Sequence, residues 1–195
     1  MARAAEDKQK ERVVLGISGA SGVAYGIRLL AALRELGLES HLVMTKAAEM
    51  TIGLETDLKP KAVAKLADKA YPIGDIGAAI ASGTYRTKGM IVAPCSVRSW
   101  SEIATGVTTN LLTRAADVTL KERRPLVLMV RETPLHTGHL RTLAQLAEMG
   151  AIILPPVPAF YDEPHRISDF VDQMAGRALD LLGYDWPRRK RWNGH

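Results

Sequence analysis

Three glycines spaced three apart, Gly16, Gly19 and Gly22, follow an apolar run at residues 13–15 and lead into a helical pattern from Val23. A strand that turns through glycines into a helix makes a phosphate site. The backbone comes close to the ligand and the first helical N–H groups face it. The spacing is not the G-x-G-x-x-G of dinucleotide folds. The next apolar run ends in Met44-Thr45-Lys46, without the acidic residue that reads a ribose. A G-x-x-x-x-G-K-[ST] loop is also missing, which argues against a P-loop NTPase. A mononucleotide such as FMN, held by short hydroxyl side chains and helix N-termini, fits better. Pro94-Cys95-Ser96 closes another apolar run, where Ser96 and Ser99 can offer hydroxyls and N–H groups to a flavin or its phosphate. Cys95 invites a nucleophile reading, but no histidine lies near it in sequence, and small packing is the favoured role. His136 and His139 are spaced like metal ligands but lack a third partner, so capping or surface roles are expected and no metal.

Strands and helices must bring these groups together. Continuous apolar runs at 12–17, 39–44, 89–93, 125–130 and 151–154 read as buried strands. Helical patterns occupy 23–36, 97–105, 109–122, 138–149 and 168–182, the last capped by Ser168. Thr45 is expected to cap a further helix through Ile52, and Asn110 or Thr109 the helix at 109–122. A short helix follows Pro60, and residues 74–88 read as an active-site loop with a short helix. Apolar strands alternating with helices mean a parallel sheet covered on both faces. The expected fold is α/β, a three-layer doubly wound parallel sheet, Rossmann-like or flavodoxin-like. Ligands of such sheets bind at the carboxyl ends of the strands. Those ends are residues 18–22, Thr45, 94–99, 131–132 and 155–161.

A length of 195 residues suits one domain. Residues 1–11 lack the apolar core of a secretory signal and read as a flexible leader, 12–183 as the single FMN-binding domain, and 184–195 as a basic tail placed to fold over the active site. A single cysteine excludes an internal disulfide framework and fits a reducing, cytoplasmic compartment. No apolar run of about 18 residues is present, so no membrane span is expected. Net charge is +5, from 26 Lys and Arg against 21 Asp and Glu, concentrated at residues 121–124 and 188–191. Without interleaved aromatic residues or a recognition motif, these clusters do not point to nucleic acid.

GISGASGVAYGIRLL, MTKAAEMTIGLETD, PCS, NLLTRAADVTLKERRPLVLMVRETPLHTGHL, PPVPAFY and RWNG together resemble the UbiX/Pad-type flavin prenyltransferases. The likeness runs in register from about residue 12 to 194, and 111–140 is its most specific part. It implies reduced FMN as prenyl acceptor, dimethylallyl monophosphate as donor and no metal. Prenylated FMN, joined at N5 and C6, would serve a UbiD-type decarboxylase. It also implies a homo-oligomer of trimers arranged into a dodecamer.

By resemblance, Gly19, Ala20 and Ser21 hold FMN, with Ser21 near N5. Thr45 is a further flavin contact, and Ser96, Val97, Arg98 and Ser99 form a second FMN loop that Arg131 joins. Glu55 matches a carboxylate that works with Ser21 in proton transfer. Lys121, Arg131, Glu132, Tyr161 and Arg177 match donor-binding residues, with Glu132 as proton donor or carrier for the departing phosphate. Arg114 and Trp192 match positions near the site, and Trp192 could face the allylic cation. An FMN-dependent decarboxylase of the same fold and a non-enzymatic flavin carrier are the alternatives.

Overall fold

The computed structural model describes residues 10–160, 163–189 and 191. Its six strands form one parallel sheet: β1 (Arg12–Ile17), β2 (Glu39–Met44), β3 (Lys69–Tyr71), β4 (Gly89–Cys95), β5 (Leu126–Val130) and β6 (Ala151–Ile153). Their order across the sheet is β3-β2-β1-β4-β5-β6. All five ladders are parallel. Among the described residues seven α-helices cover it: α1 (Val23–Glu35), α2 (Lys46–Glu55), α3 (Pro60–Ala64), α4 (Val97–Thr105), α5 (Leu111–Lys121), α6 (Thr137–Glu148) and α7 (Ile167–Asp180). This is the expected doubly wound fold, with the strand order of a Rossmann sheet.

Strand alternation sorts the core. Val13, Leu15, Ile17, Ile91, Ala93, Val127 and Met129 pack toward α1 and α7. Val14, Met90, Val92, Leu126, Leu128 and Val130 pack toward α4, α5 and α6. The central strands β1, β4 and β5 are apolar on both faces because both faces are covered. Trp186 is also buried, with its indole N–H donated to Glu35 at 2.9 Å and the Arg28 guanidinium 4.7 Å from its ring centre. The described part of the basic tail therefore lies along α1 and α7. Its charges are paired, Arg188 with Glu35, and Arg189 and Arg191 with Asp180.

Several boundaries differ from the sequence reading. β3 was not expected: its three residues are too few for a periodic signal and two are exposed. β4 runs on to Cys95 through a register shift between Val92 and Cys95, so Pro94 sits at an irregularity instead of ending the strand. α7 begins before Ser168. Asp169 takes the capping role, its carboxylate accepting the N–H groups of His165 and Arg166 at 2.9 Å each. The Thr45 and Asn110 caps form as expected, accepting from Ala48 and Thr113.

At the far end of the sheet a buried histidine carries a pH dependence. His41 Nδ1 lies 2.8 Å from the Tyr71 hydroxyl, and Nε2 lies 3.1 Å from Glu39 and 3.3 Å from the Tyr85 hydroxyl. Lys69 and Arg12 are the neighbouring cations, both paired with Glu39. Burial pushes His41 below its ordinary 6.5, against the opposing pull of Glu39. The folded state therefore takes up this proton less readily than the unfolded chain, which titrates near 6.5. This contribution to stability is therefore complete above that pH and declines below it. The urea midpoint should fall between about pH 7.5 and about pH 5.5, and the fall should shrink in His41→Gln. An unchanged slope in that variant contradicts the assignment.

Candidate functional site

In this strand order the chain leaves β1 toward one face of the sheet and β4 toward the other, which opens a crevice at their carboxyl ends. The crevice holds a cleft of about 640 Å³, lined by Gly19, Ala20, Ser21, Thr45, residues 96–99, Arg131 and Glu132. That volume lies within the roughly 300–1,000 Å³ typical of small-molecule sites. Lys46, Ala47, Ile73, Glu102, Thr109 and Asn110 complete the wall. A second compartment of about 460 Å³ adjoins it, lined by Ser21, Gly22, Tyr25, residues 130–133 and residues 155–157. Ser21, Arg131 and Glu132 line both compartments and so form the partition between them.

Two helix N-termini face the larger cleft. Thr45 caps α2 through Ala48 N–H at 3.0 Å, and Ser96 caps α4 through Ser99 N–H at 3.4 Å. The caps take the third helical amide and leave those of Lys46, Ala47, Val97 and Arg98 for an anionic ligand. Gly19 must be glycine, because a Cβ there would overlap the Cβ of Ala47 and press on that residue's backbone at 3.1–3.2 Å. The glycine turn therefore packs directly on the first turn of α2.

The N-terminus of α1 has a different role from the one its glycines suggested. Glu55, the last residue of α2, places its carboxylate there, accepting Gly22 N–H at 2.8 Å and Val23 N–H at 3.1 Å. The anion position at the start of α1 is thus filled from within the chain. Burial pushes the Glu55 carboxyl up, but the Ser21 hydroxyl, the amides of Gly22 and Val23, and Arg131 outweigh it and hold it below its ordinary 4.5. Ser21 and Glu55 are therefore joined as a pair at the partition.

Glu132 is half-buried, and its carboxylate accepts the Thr133 N–H at 3.0 Å. Among the described residues no cation pairs with it, and the Arg131 guanidinium makes no hydrogen bond or ion pair. Both ends of this dipeptide are open to a ligand. Arg98 lies along α4 on Glu102 at 2.8 Å, so its backbone amide faces the cleft while its guanidinium is exposed and paired. Cys95 is fully buried, and burial pushes its thiol up, which excludes it as a nucleophile. His136 caps α6, accepting the His139 N–H at 3.2 Å.

Three expected donor-binding cations lie outside both compartments. Arg114 pairs with Asp117 at 2.8 Å on α5. Lys121 ends α5, about 15 Å from its first residue at 1.5 Å per residue, and sits 3.9 Å from Glu122. Arg177 is half-exposed on α7, 3.9 Å from Asp180. Tyr161 and Trp192 lie outside the described residues.

The sequence reading missed Lys46, Ala47, Asn110 and Tyr25 as site residues, and placed Ser18 at a strand end of the site without giving it a role. The first three follow from the Thr45 and Asn110 caps, which mark helix starts at a cleft edge. Tyr25 and Ser18 carried no separable signal inside the glycine motif.

A doubly wound sheet whose switch-point crevice is divided by a Ser-Arg-Glu partition and faced by two helix N-termini defines a nucleotide-type ligand site with a second compartment beside it. The Flavoprotein family model matches residues 1–176. Flavin prenyltransferase UbiX of Escherichia coli K12 is 52% identical over 187 residues, covering 94% of this chain and 99% of that protein. The mitochondrial flavin prenyltransferase PAD1 of Saccharomyces cerevisiae is 48% identical over 184 residues, covering 94% and 76%. The crystal structure of AnUbiX (PadA1) in complex with FMN and dimethylallyl pyrophosphate superimposes with a TM-score of 0.94 at 48% identity, covering 96% of this chain and all of that one. A dodecameric FMN-dependent UbiX-like decarboxylase from Escherichia coli O157:H7 gives a TM-score of 0.91 at 46% identity, covering 94% and 100%. The chain belongs to the Flavoprotein family, in its UbiX group.

Proposed function

We propose that this chain is a flavin prenyltransferase that joins the dimethylallyl group of dimethylallyl monophosphate to reduced FMN, and that its product serves a UbiD-type decarboxylase. The observation that carries the reading is the partition: Ser21, Arg131 and Glu132 each line both compartments, so a group passing from one to the other must pass them. The larger compartment fits FMN in volume and in its supply of free helix amides and hydroxyls, and Gly19 lets the turn after β1 pack on the start of α2 at its wall. The names of the UbiX relatives and the ligands of the AnUbiX structure support the same assignment.

Reduced FMN would supply the nucleophilic N5 and C6 atoms. The chain's task is to release the phosphate, shelter the allyl group and move protons. Arg131 can grip phosphate through two N–H groups. Glu132, protonated, would give its proton to the phosphate oxygen as the carbon–oxygen bond breaks and the electron pair leaves with the phosphate. Ser21 and Glu55 would take up the proton released at the flavin.

Arg114, Lys121 and Arg177 are kept as donor-binding residues, supplied through assembly. The basic end of α5 faces away from its own cleft, and one UbiX-like relative is dodecameric, so a neighbouring copy in a trimer-based dodecamer would present these cations. Tyr161 and Trp192 are kept as donor-binding residues on the resemblance alone. The cytoplasm is the proposed location. The test is the mass of the flavin after incubation with each donor in turn. Prenylation with the monophosphate supports the reading, and prenylation with the diphosphate alone overturns the choice of donor. Decarboxylation of an acid without any prenyl donor would favour the decarboxylase alternative.

A further inference from the structure

We infer that Ser18 is a positioning residue for the flavin, its buried hydroxyl tying the turn after β1 to the loop after β4 and so setting the floor of the cleft. The inference rests on the FMN reading above. The β1–β4 ladder ends at the pair Gly16 and Val92, just where the two strands send their chains to opposite faces of the sheet. Pro94 has no N–H with which to continue that ladder. Ser18 supplies the missing links. Its N–H donates to the Pro94 carbonyl at 3.2 Å, its hydroxyl donates to the same carbonyl at 2.8 Å, and the hydroxyl oxygen accepts the Ser96 N–H at 2.7 Å. The side chain is fully buried and both its donor and its acceptor capacity are used.

Two consequences bear on ligand binding. Ser18 holds residues 19–21 at a fixed distance from residues 96–99, the two stretches that face each other across the cleft. It also consumes the Ser96 amide, which seats Ser96 as the cap of α4 and leaves the amides of Val97 and Arg98 for the ligand. A second close approach holds the same corner. A Cβ on Gly26 of α1 would lie 2.5 Å from the Ala93 carbonyl oxygen. Loosening the hydroxyl link would therefore change the spacing of the two loops while the β1–α1 unit stays in place.

The experiment is a titration of FMN into the full-length protein, followed by flavin fluorescence, with urea unfolding of the same samples. Ser18→Ala leaves the half-buried Ser96 amide unpaired and is expected to raise the Kd for FMN about tenfold. Ser40→Ala is the control. Its hydroxyl is equally buried and bonded to Asp68 at 2.8 Å, but it lies at the opposite end of the sheet. It should lower the urea midpoint and leave the Kd unchanged. If Ser18→Ala does not fold, the shape-matched pair Ser18→Thr and Ser18→Val separates the hydroxyl from packing, with Val expected to bind about tenfold more weakly than Thr. Folded Ser18→Ala binding FMN like the wild type, equal effects of the two alanine variants on Kd, or equal binding by Thr and Val overturns the inference. Wild-type protein that fails to bind FMN overturns the flavin reading itself, a result visible before any variant is compared.

Discussion

Glu132→Gln is expected to lower the rate of prenyl transfer by about 10²- to 10⁴-fold, the range for removing a positioned general acid. The substitution keeps the size of the side chain and an oxygen that can accept the Thr133 N–H, so the loop after β5 should hold its shape. It removes the only exchangeable proton the carboxyl can give to a departing phosphate. The Kd for FMN should change little, because the proposed flavin contacts lie on the turns after β1, β2 and β4, with Arg131 as the one added after β5. The measurement is single-turnover formation of prenylated flavin, with FMN affinity determined on the same protein. An unimpaired rate would favour the flavin-carrier alternative. A rate lost together with FMN binding would mean that Glu132 holds the cleft together and moves no proton.

Glu55 is expected to separate stability from chemistry. Glu55→Ala takes the acceptor from the Gly22 and Val23 amides at the start of α1 and should cost about 1 kcal/mol, mid-range for a lost helix cap and tempered by the exposure of the group. Glu55→Gln keeps an acceptor oxygen, so its stability should stay within about 0.5 kcal/mol of wild type. Both variants should lose prenyl transfer by about 10²-fold or more, because neither can take a proton through Ser21. The pH dependence has a definite sign. The folded carboxyl lies below its ordinary 4.5, so its contribution to stability is present above that value and is lost as pH falls below it. Urea midpoints at about pH 6 and about pH 3.5 should therefore differ less in Glu55→Gln than in wild type. Full transfer activity in Glu55→Gln would contradict the proton-transfer role.

Residues that speak through local pattern were legible in the sequence. The runs at residues 13–17, 90–93 and 126–130 are apolar on both faces and could only be covered strands. Thr45 and Asn110 announced their helices by residue type. The strand ends then located the cleft without any knowledge of its contents. What escaped the sequence depends on distant pairs. The resemblance alone tied Glu55 to Ser21; that its carboxylate reaches the Gly22 amide across 33 positions, and Ser18 the Ser96 amide across 78, is encoded in no periodicity. β3 is too short to show alternation. The glycine turn looked like a phosphate cradle because glycines before a helix usually free its N-terminal amides. Here a carboxylate from α2 fills that position, and the free amides belong to α2 and α4. Lys121 shows the opposite limit. Its sequence context matches a donor-binding lysine, yet in one chain it lies at the far end of α5. Under the proposed assembly the donor site is shared between copies, and a single chain's geometry cannot display it.

The most direct test of the central claim is the mass of the flavin recovered from the protein after incubation with reduced FMN and dimethylallyl monophosphate under anaerobic conditions. A flavin heavier by one five-carbon prenyl unit is expected, formed only when both compounds and folded protein are present. Recovery of unmodified FMN alone, from protein shown to be folded and loaded with flavin, would contradict it.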